Sequence, residues 1–134
     1  MGFHKIEFVD LEYEPYYDFS STGILYVMGG NTFKLMYHIL RSNLKDSIND
    51  LIDRKGIYIG VSAGSIILGS TILTASEILE DENDIFLDKF EGLGILPFAI
   101  VPHYNTSLEE KINLFERNHK VKVKKISDDE YILI

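Results

Sequence analysis

The sequence predicts an α/β fold: an open, mostly parallel sheet with helices on both faces, forming a single domain over residues 1–134. Two observations predict it. Short apolar runs typical of strands alternate with segments whose apolar residues recur at helical spacing, and this alternation builds parallel β-α-β units. Hydrophobic residues make up 46% of the 134, enough for a core that needs no disulfide or metal.

The elements follow from local patterns taken in order. Lys5–Glu12 alternates apolar and polar residues as a half-buried strand does, and Gly23–Gly30 is a continuous apolar run, as in a strand covered on both faces. Helical spacing follows in the next two segments. The predicted elements after β-strand 23–30 are helices at 31–43 and 44–55, a strand at 56–61, a helix at 63–73, a strand at 98–104, a helix at 107–119, and strands at 121–127 and 131–134.

Composition and charge exclude several classes of function. The net charge of −8 would repel nucleic acid and anionic membrane surfaces, so small molecules, peptides or another protein are the expected partners. The chain has no cysteine, which rules out disulfides, thiolate metal sites and a cysteine nucleophile. Without a secretory signal or an apolar run of about 20 residues, the expected location is the cytoplasm.

The segment Gly60–Gly64, GVSAG, matches the G-x-S-x-G pattern of a sharp strand-to-helix turn that exposes a serine hydroxyl. The residue after Ser62 opens a helix, so its free backbone N–H faces any negative charge that develops beside the serine. The pattern predicts a nucleophile and one oxyanion donor, Ala63. The alternative is a tight turn that only requires small residues.

A serine nucleophile needs a base, most often histidine. His103 follows a predicted strand, at the same sheet edge as Ser62, and is the candidate base. The other three histidines fit structural roles better: His4, His38 and His119.

Two acidic positions could orient the histidine. Glu77 follows the serine helix, and Asp128 lies in the acidic cluster between the last two predicted strands. With 21 acidic residues in the chain, the pattern alone leaves both open.

The segment VMGGNTFKL ends a strand in two glycines and opens a helix with Asn31. Exposed backbone N–H groups in such a turn suit an anion or oxyanion, with Gly30 as a second donor beside Ala63. A tight turn followed by an asparagine helix cap is an equally good interpretation.

In this order, GGNTFKL, GVSAGS, GLGILPFAIVPHYN and a terminal acidic turn resemble peptidase family S51, the dipeptidase E (aspartyl dipeptidase) and cyanophycinase group. The resemblance implies a fold similar to class I glutamine amidotransferases, a flavodoxin-like three-layer sandwich. It implies Ser62 as nucleophile, His103 as base and Asp128, with Glu77 as rival, as the acid. It also implies Gly30 and Ala63 as oxyanion donors accompanied by Asn31, and no metal or organic cofactor.

The sequence departs from the family in two places. The arginine by which dipeptidase E selects an N-terminal aspartyl residue has only Lys111 as a counterpart, which puts Asp-X specificity in question. The family's N-terminal strand and helix have no counterpart either. Because their loss would uncover a sheet face, we expect a homodimer.

These observations predict a serine hydrolase that cleaves dipeptides or short peptides, including those with N-terminal Asp. Two other classes of function stay open. One is a catalytically inactive relative that binds a small anion at the same turns, and the other is an assembly subunit of the same fold.

Overall fold

The computed structural model describes residues 2 and 4–134. Its strands are β1 (Ile24–Val27), β2 (Ile57–Gly60), β3 (Ala99–Val101) and β4 (Val123–Lys125). Its helices are α1 (Thr32–Leu40), α2 (Leu44–Asp53), α3 (Ala63–Ile66), α4 (Thr74–Glu77) and α5 (Glu109–His119), with a 3-10 turn at Thr106–Leu108. Both strand pairs are parallel, so the predicted α/β class is confirmed.

The strands form two parallel pairs in the described part of the chain. In the first pair Ile24 of β1 lies opposite Ile57 of β2, and in the second Ala99 of β3 lies opposite Val123 of β4. Helix α3 packs against both β2 and β3 and joins the pairs. The serine turn and the histidine turn therefore meet at one end of the molecule.

The core has two parts. The larger one lies where α1, α2 and α3 pack against the first strand pair, and the smaller one lies between β3, α4 and α5. Helix α1 illustrates the local cause: the Asn31 side chain caps it by accepting from the Lys34 amide, and Phe33, Met36 and Ile39 form its buried stripe.

One face of the first strand pair carries apolar side chains that are exposed. Strand alternation turns Leu25, Val27 and Tyr58 toward the core. The opposite face presents six large apolar residues, 39–63% exposed: Ile24, Tyr26, Met28, Ile57, Ile59 and Val61. The described helices cover only one face of this pair, whereas helices on both faces are typical of parallel sheets.

Three predicted elements differ from the structure. Residues 5–12 and 131–134 form no strand, because no strand of residues 2 and 4–134 lies beside them to complete a ladder of hydrogen bonds. The predicted helix 63–73 is interrupted after α3. Ser70 leaves it to donate to the Phe98 carbonyl, and a Cβ on Gly69 would lie 2.7 Å from that same oxygen.

None of the helices in residues 2 and 4–134 is both long and apolar enough to cross a membrane.

Candidate active site

Ser62 occupies a strained turn between β2 and α3. Its backbone has φ 53° and ψ −116°, a conformation that costs a non-glycine residue about 1–3 kcal/mol. The turn is tight because glycines flank it: a methyl group on Gly60 would overlap the Gly64 carbonyl, and one on Gly64 would overlap the Val27 carbonyl. Strand and helix thus approach closely enough to leave the serine hydroxyl at the rim.

Ser62, His103 and Asp128 form a chain of hydrogen bonds. The Oγ of Ser62 lies 2.9 Å from Nε2 of His103, and Nδ1 of His103 lies 2.6 Å from Oδ1 of Asp128. A carboxylate can only accept, so the proton of the neutral imidazole belongs on Nδ1. Nε2 is then free to accept the serine proton, which is the arrangement a general base requires.

His103 projects from an interruption in the ladder between β3 and the chain after β4. Ile126 donates to the Val101 carbonyl, and Tyr104 donates back to the Ile126 carbonyl, so the two residues between them are left out of the pairing. His103 has φ 55°, a left-handed conformation that turns its ring out of the strand and toward Ser62.

Asp128 is held by a short turn that begins where this ladder ends. The Glu130 amide donates to the Ser127 carbonyl, and the Glu130 carboxylate accepts from both the amide and the hydroxyl of Ser127. The hydroxyl bond is the main cause of a pKa of Glu130 below the ordinary value of 4.5, with the amide bond next. The turn fixes Asp128 two residues past Ile126.

We expect Glu130→Gln to lower the free energy of unfolding at neutral pH and to have no effect in strong acid. A carboxyl group whose pKa is lowered by folding contributes stability above its unfolded pKa and loses it as pH falls through the folded value. Urea unfolding of both proteins from pH 7 to below pH 4 measures this. An undiminished difference at the acid end would contradict the assignment of the carboxylate bonds.

The strand end after β1 contributes the backbone beside the serine. A Cβ on Gly29 would lie 3.0 Å from Cβ of Ser62, closer than ordinary van der Waals contact, and Gly30 has φ 138°. In the described residues the amides of Gly30 and Ala63 donate no hydrogen bond, which leaves both for a ligand. Asn31 is different: its side chain caps α1 and donates to the Glu82 carbonyl.

Glu77 lies outside this cluster. Both of its carboxylate oxygens accept from Nε2 of His119, at 3.0 and 2.8 Å, and this pair joins α4 to α5. Closer to the start of α5, Lys111 pairs with Glu80, which follows the end of α4. The structure thus gives Asp128, and not Glu77, the contact with His103. The sequence pattern leaves open which acidic residue contacts His103, because it does not show which strand pairs with the strand before His103.

The cluster is open to solvent. The side chains of His103 and Asp128 are 54% and 80% exposed, and Ser62 is half-buried. The serine hydroxyl and the imidazole therefore lie at the surface of the described part of the chain. The sequence analysis assigns no separate role to Glu130, although a serine three residues before a glutamate is the pattern that marks its turn.

The fold and this cluster define a class: an α/β protein with a Ser-His-Asp arrangement on a strand-to-helix turn, as in serine hydrolases. The model of peptidase family S51 matches residues 4–134. The chain belongs to that family, as its motifs predict.

Similar proteins support this assignment. An uncharacterized peptidase of Listeria monocytogenes, Lmo0363, is 30% identical over 82% of this chain and 55% of its own length. Peptidase E of Salmonella arizonae is 33% identical over 81% of this chain and 43% of its own. A crystal structure assigned as peptidase E from Listeria monocytogenes superposes with a TM-score of 0.59 at 28% identity, covering 79% of this chain and 52% of that one. The chain spans about half the length of the relatives it matches.

Proposed function

We propose that this chain is a serine-type peptidase that hydrolyses dipeptides or short peptides, with Ser62, His103 and Asp128 as its triad. The observation that carries the proposal is the continuous hydrogen-bond chain from Ser62 Oγ through His103 to Asp128, set on a strained turn. Membership of a peptidase family supports the reaction class.

The chemistry follows from the geometry. His103 takes the hydroxyl proton through Nε2 while Ser62 Oγ attacks the scissile carbonyl, and the carbonyl oxygen becomes an oxyanion. The amides of Ala63 and Gly30, which donate to no group among the described residues, are the donors for that oxygen. Each such donor contributes about 2.7–4 kcal/mol to the stabilisation of the transition state. His103 then returns the proton to the leaving amine, and water releases the acyl group from Ser62.

The proposed substrates are short peptides, and the next question is whether they must carry an N-terminal Asp. Relatives named peptidase E and probable alpha-aspartyl dipeptidase support a dipeptide substrate. Lys111 pairs with Glu80. Its ammonium group lacks the planar arrangement of donors by which an arginine guanidinium makes two hydrogen bonds to one carboxylate. We therefore propose that N-terminal Asp is accepted without being required.

Release of free amino acids from a set of dipeptides and isoaspartyl peptides tests this proposal. Asp-Leu and neutral dipeptides are incubated with the wild type and with Ser62→Ala. Hydrolysis by the wild type alone supports the proposal. If neither protein releases product, while the wild type binds an anion at the turns of Gly30 and Ala63, the inactive binding protein is the better description.

We further propose a homodimer formed through the exposed apolar face of the β1–β2 pair. The six exposed side chains of this face are all apolar, which favours contact with another apolar surface. Two-fold dimers, in which one face packs against its own copy, are the commonest assemblies. A second copy supplies an apolar layer of the same composition.

A lysine on this face is expected to separate the subunits. Ile59→Lys places a charge in the middle of the apolar face, whereas Phe86→Lys, at a side chain 88% exposed elsewhere, is the matched control. Sedimentation at micromolar concentration should show dimers for the wild type and Phe86→Lys, and monomers for Ile59→Lys. A monomeric wild type would contradict the proposal.

A further inference from the structure

A half-buried tyrosine on β2 is hydrogen-bonded across the serine turn. The hydroxyl of Tyr58 on β2 donates to the Gly64 carbonyl in α3, at 2.7 Å, so this bond spans the turn that carries Ser62. In a regular α-helix the Gly64 carbonyl would accept from residue 68. Here the Leu68 amide donates to Ser65 instead, which leaves the Gly64 oxygen for the tyrosine.

The tyrosine is suited to remain a donor. Burial raises the pKa of Tyr58 above its ordinary value of 10.0, so the hydroxyl keeps its proton at every pH at which histidine can act as a base. Its ring also explains one glycine of the motif. A Cβ on Gly60 would lie 2.8 Å from the ring carbon Cε1 of Tyr58, besides overlapping the Gly64 carbonyl.

A second side chain holds the other half of the turn. The Ser65 hydroxyl donates to the Ser62 carbonyl at 2.6 Å, alongside the amides of Ser65 and Ile66 at 2.8 and 3.1 Å. These three hydrogen bonds to its carbonyl hold the strained Ser62 in place. The bond from Tyr58 holds the first turn of α3, which follows Ser62. Both hydroxyls donate to backbone carbonyls, and neither is hydrogen-bonded to the side chain of Ser62 or His103.

We propose that Tyr58 is a positioning residue for the reaction, acting through Gly64 to keep the Ser62 hydroxyl and the Ala63 amide aimed at the substrate. This inference rests on the proposed function. A strained φ relaxes when its restraints are removed, and relaxation here would lengthen the 2.9 Å contact between Ser62 and His103. A displacement of about 1 Å can cost about 100-fold in rate.

The test compares Tyr58→Phe with Tyr17→Phe. Tyr17 is half-buried, and its hydroxyl also makes one hydrogen bond, to Glu7 at 2.6 Å, so both changes delete one bonded tyrosine hydroxyl. We expect Tyr58→Phe to lower kcat by about 10- to 100-fold with KM nearly unchanged, and Tyr17→Phe to leave both unchanged. Ser65→Ala removes the hydrogen bond from the Ser65 hydroxyl to the Ser62 carbonyl, and it should also lower kcat.

Amide hydrogen exchange provides a readout that does not need activity. In Tyr58→Phe the amides of Ser65 and Ile66 should exchange faster than in the wild type, and those of α1 should not. Faster exchange together with the loss of kcat supports the inference. Unchanged exchange, or a kcat equal to that of Tyr17→Phe, overturns it. A wild type that hydrolyses no peptide refutes the proposed function instead, and exchange alone then decides whether Tyr58 holds the turn.

Discussion

Ser62→Ala is expected to lower kcat for dipeptide hydrolysis by about 10⁴-fold or more, to the background rate. The substitution removes the oxygen that lies 2.9 Å from His103 Nε2, so no acyl intermediate can form on Ser62. The fold should survive, because alanine keeps the backbone contacts of the turn and loses no buried hydrogen bond to the core. Amino-acid release measures the activity, and circular dichroism with urea unfolding measures the fold.

The control for Ser62→Ala is Ser20→Ala, which removes the hydroxyl of an exposed serine. Ser65→Gly is not a suitable control because Ser65 belongs to the turn that carries Ser62. Activity retained by a folded Ser62→Ala protein would show that another group attacks the peptide, and the assignment of the nucleophile would be wrong.

Asp128→Asn is expected to lower kcat by about 10²- to 10³-fold. An asparagine cannot fix the tautomer in which Nδ1 of His103 carries the proton, and it does not stabilise the imidazolium that forms during attack. The carboxylate is 80% exposed, so water replaces part of its effect, and we expect a smaller loss than for a buried acid. The pH dependence of kcat/KM gives a second measure of the same contact.

Glu77→Gln is the informative comparison because both acids are consistent with the sequence. Glu77 contacts His119, so its substitution should weaken the contact between α4 and α5 and leave kcat as in the wild type. The reverse pattern, a large loss for Glu77→Gln and none for Asp128→Asn, would exclude Asp128 as the partner of His103.

Much of the site can be predicted because parallel strands bring their carboxyl ends to one rim. The strand before Ser62 and the strand before His103 both end at this rim, and the two side chains meet there. The choice of acid cannot be predicted in this way. It depends on the turn from Ser127 to Glu130, which is set by hydrogen bonds between side chain and backbone.

The limits of the fold prediction have a similar cause. The alternation of apolar and polar residues in 5–12 is a local pattern, whereas a strand also needs a second strand to pair with. In the described residues no strand pairs with this segment. Gly69 interrupts an apolar, helix-like run because Phe98 lies against it, a contact between residues far apart in sequence. The apolar run of β1 predicts burial on both faces, yet Ile24 and Tyr26 are exposed.

A crystal structure with a dipeptide aldehyde tests whether Ser62 is the nucleophile, since an aldehyde forms a hemiacetal with an active serine. We expect a covalent bond from Ser62 Oγ to the aldehyde carbon, with the hemiacetal oxygen about 2.7–3.1 Å from the amides of Gly30 and Ala63. His103 Nε2 should stay within hydrogen-bond distance of Oγ. An aldehyde attached to a different side chain, or bound with its carbonyl turned away from Ser62, would contradict the account.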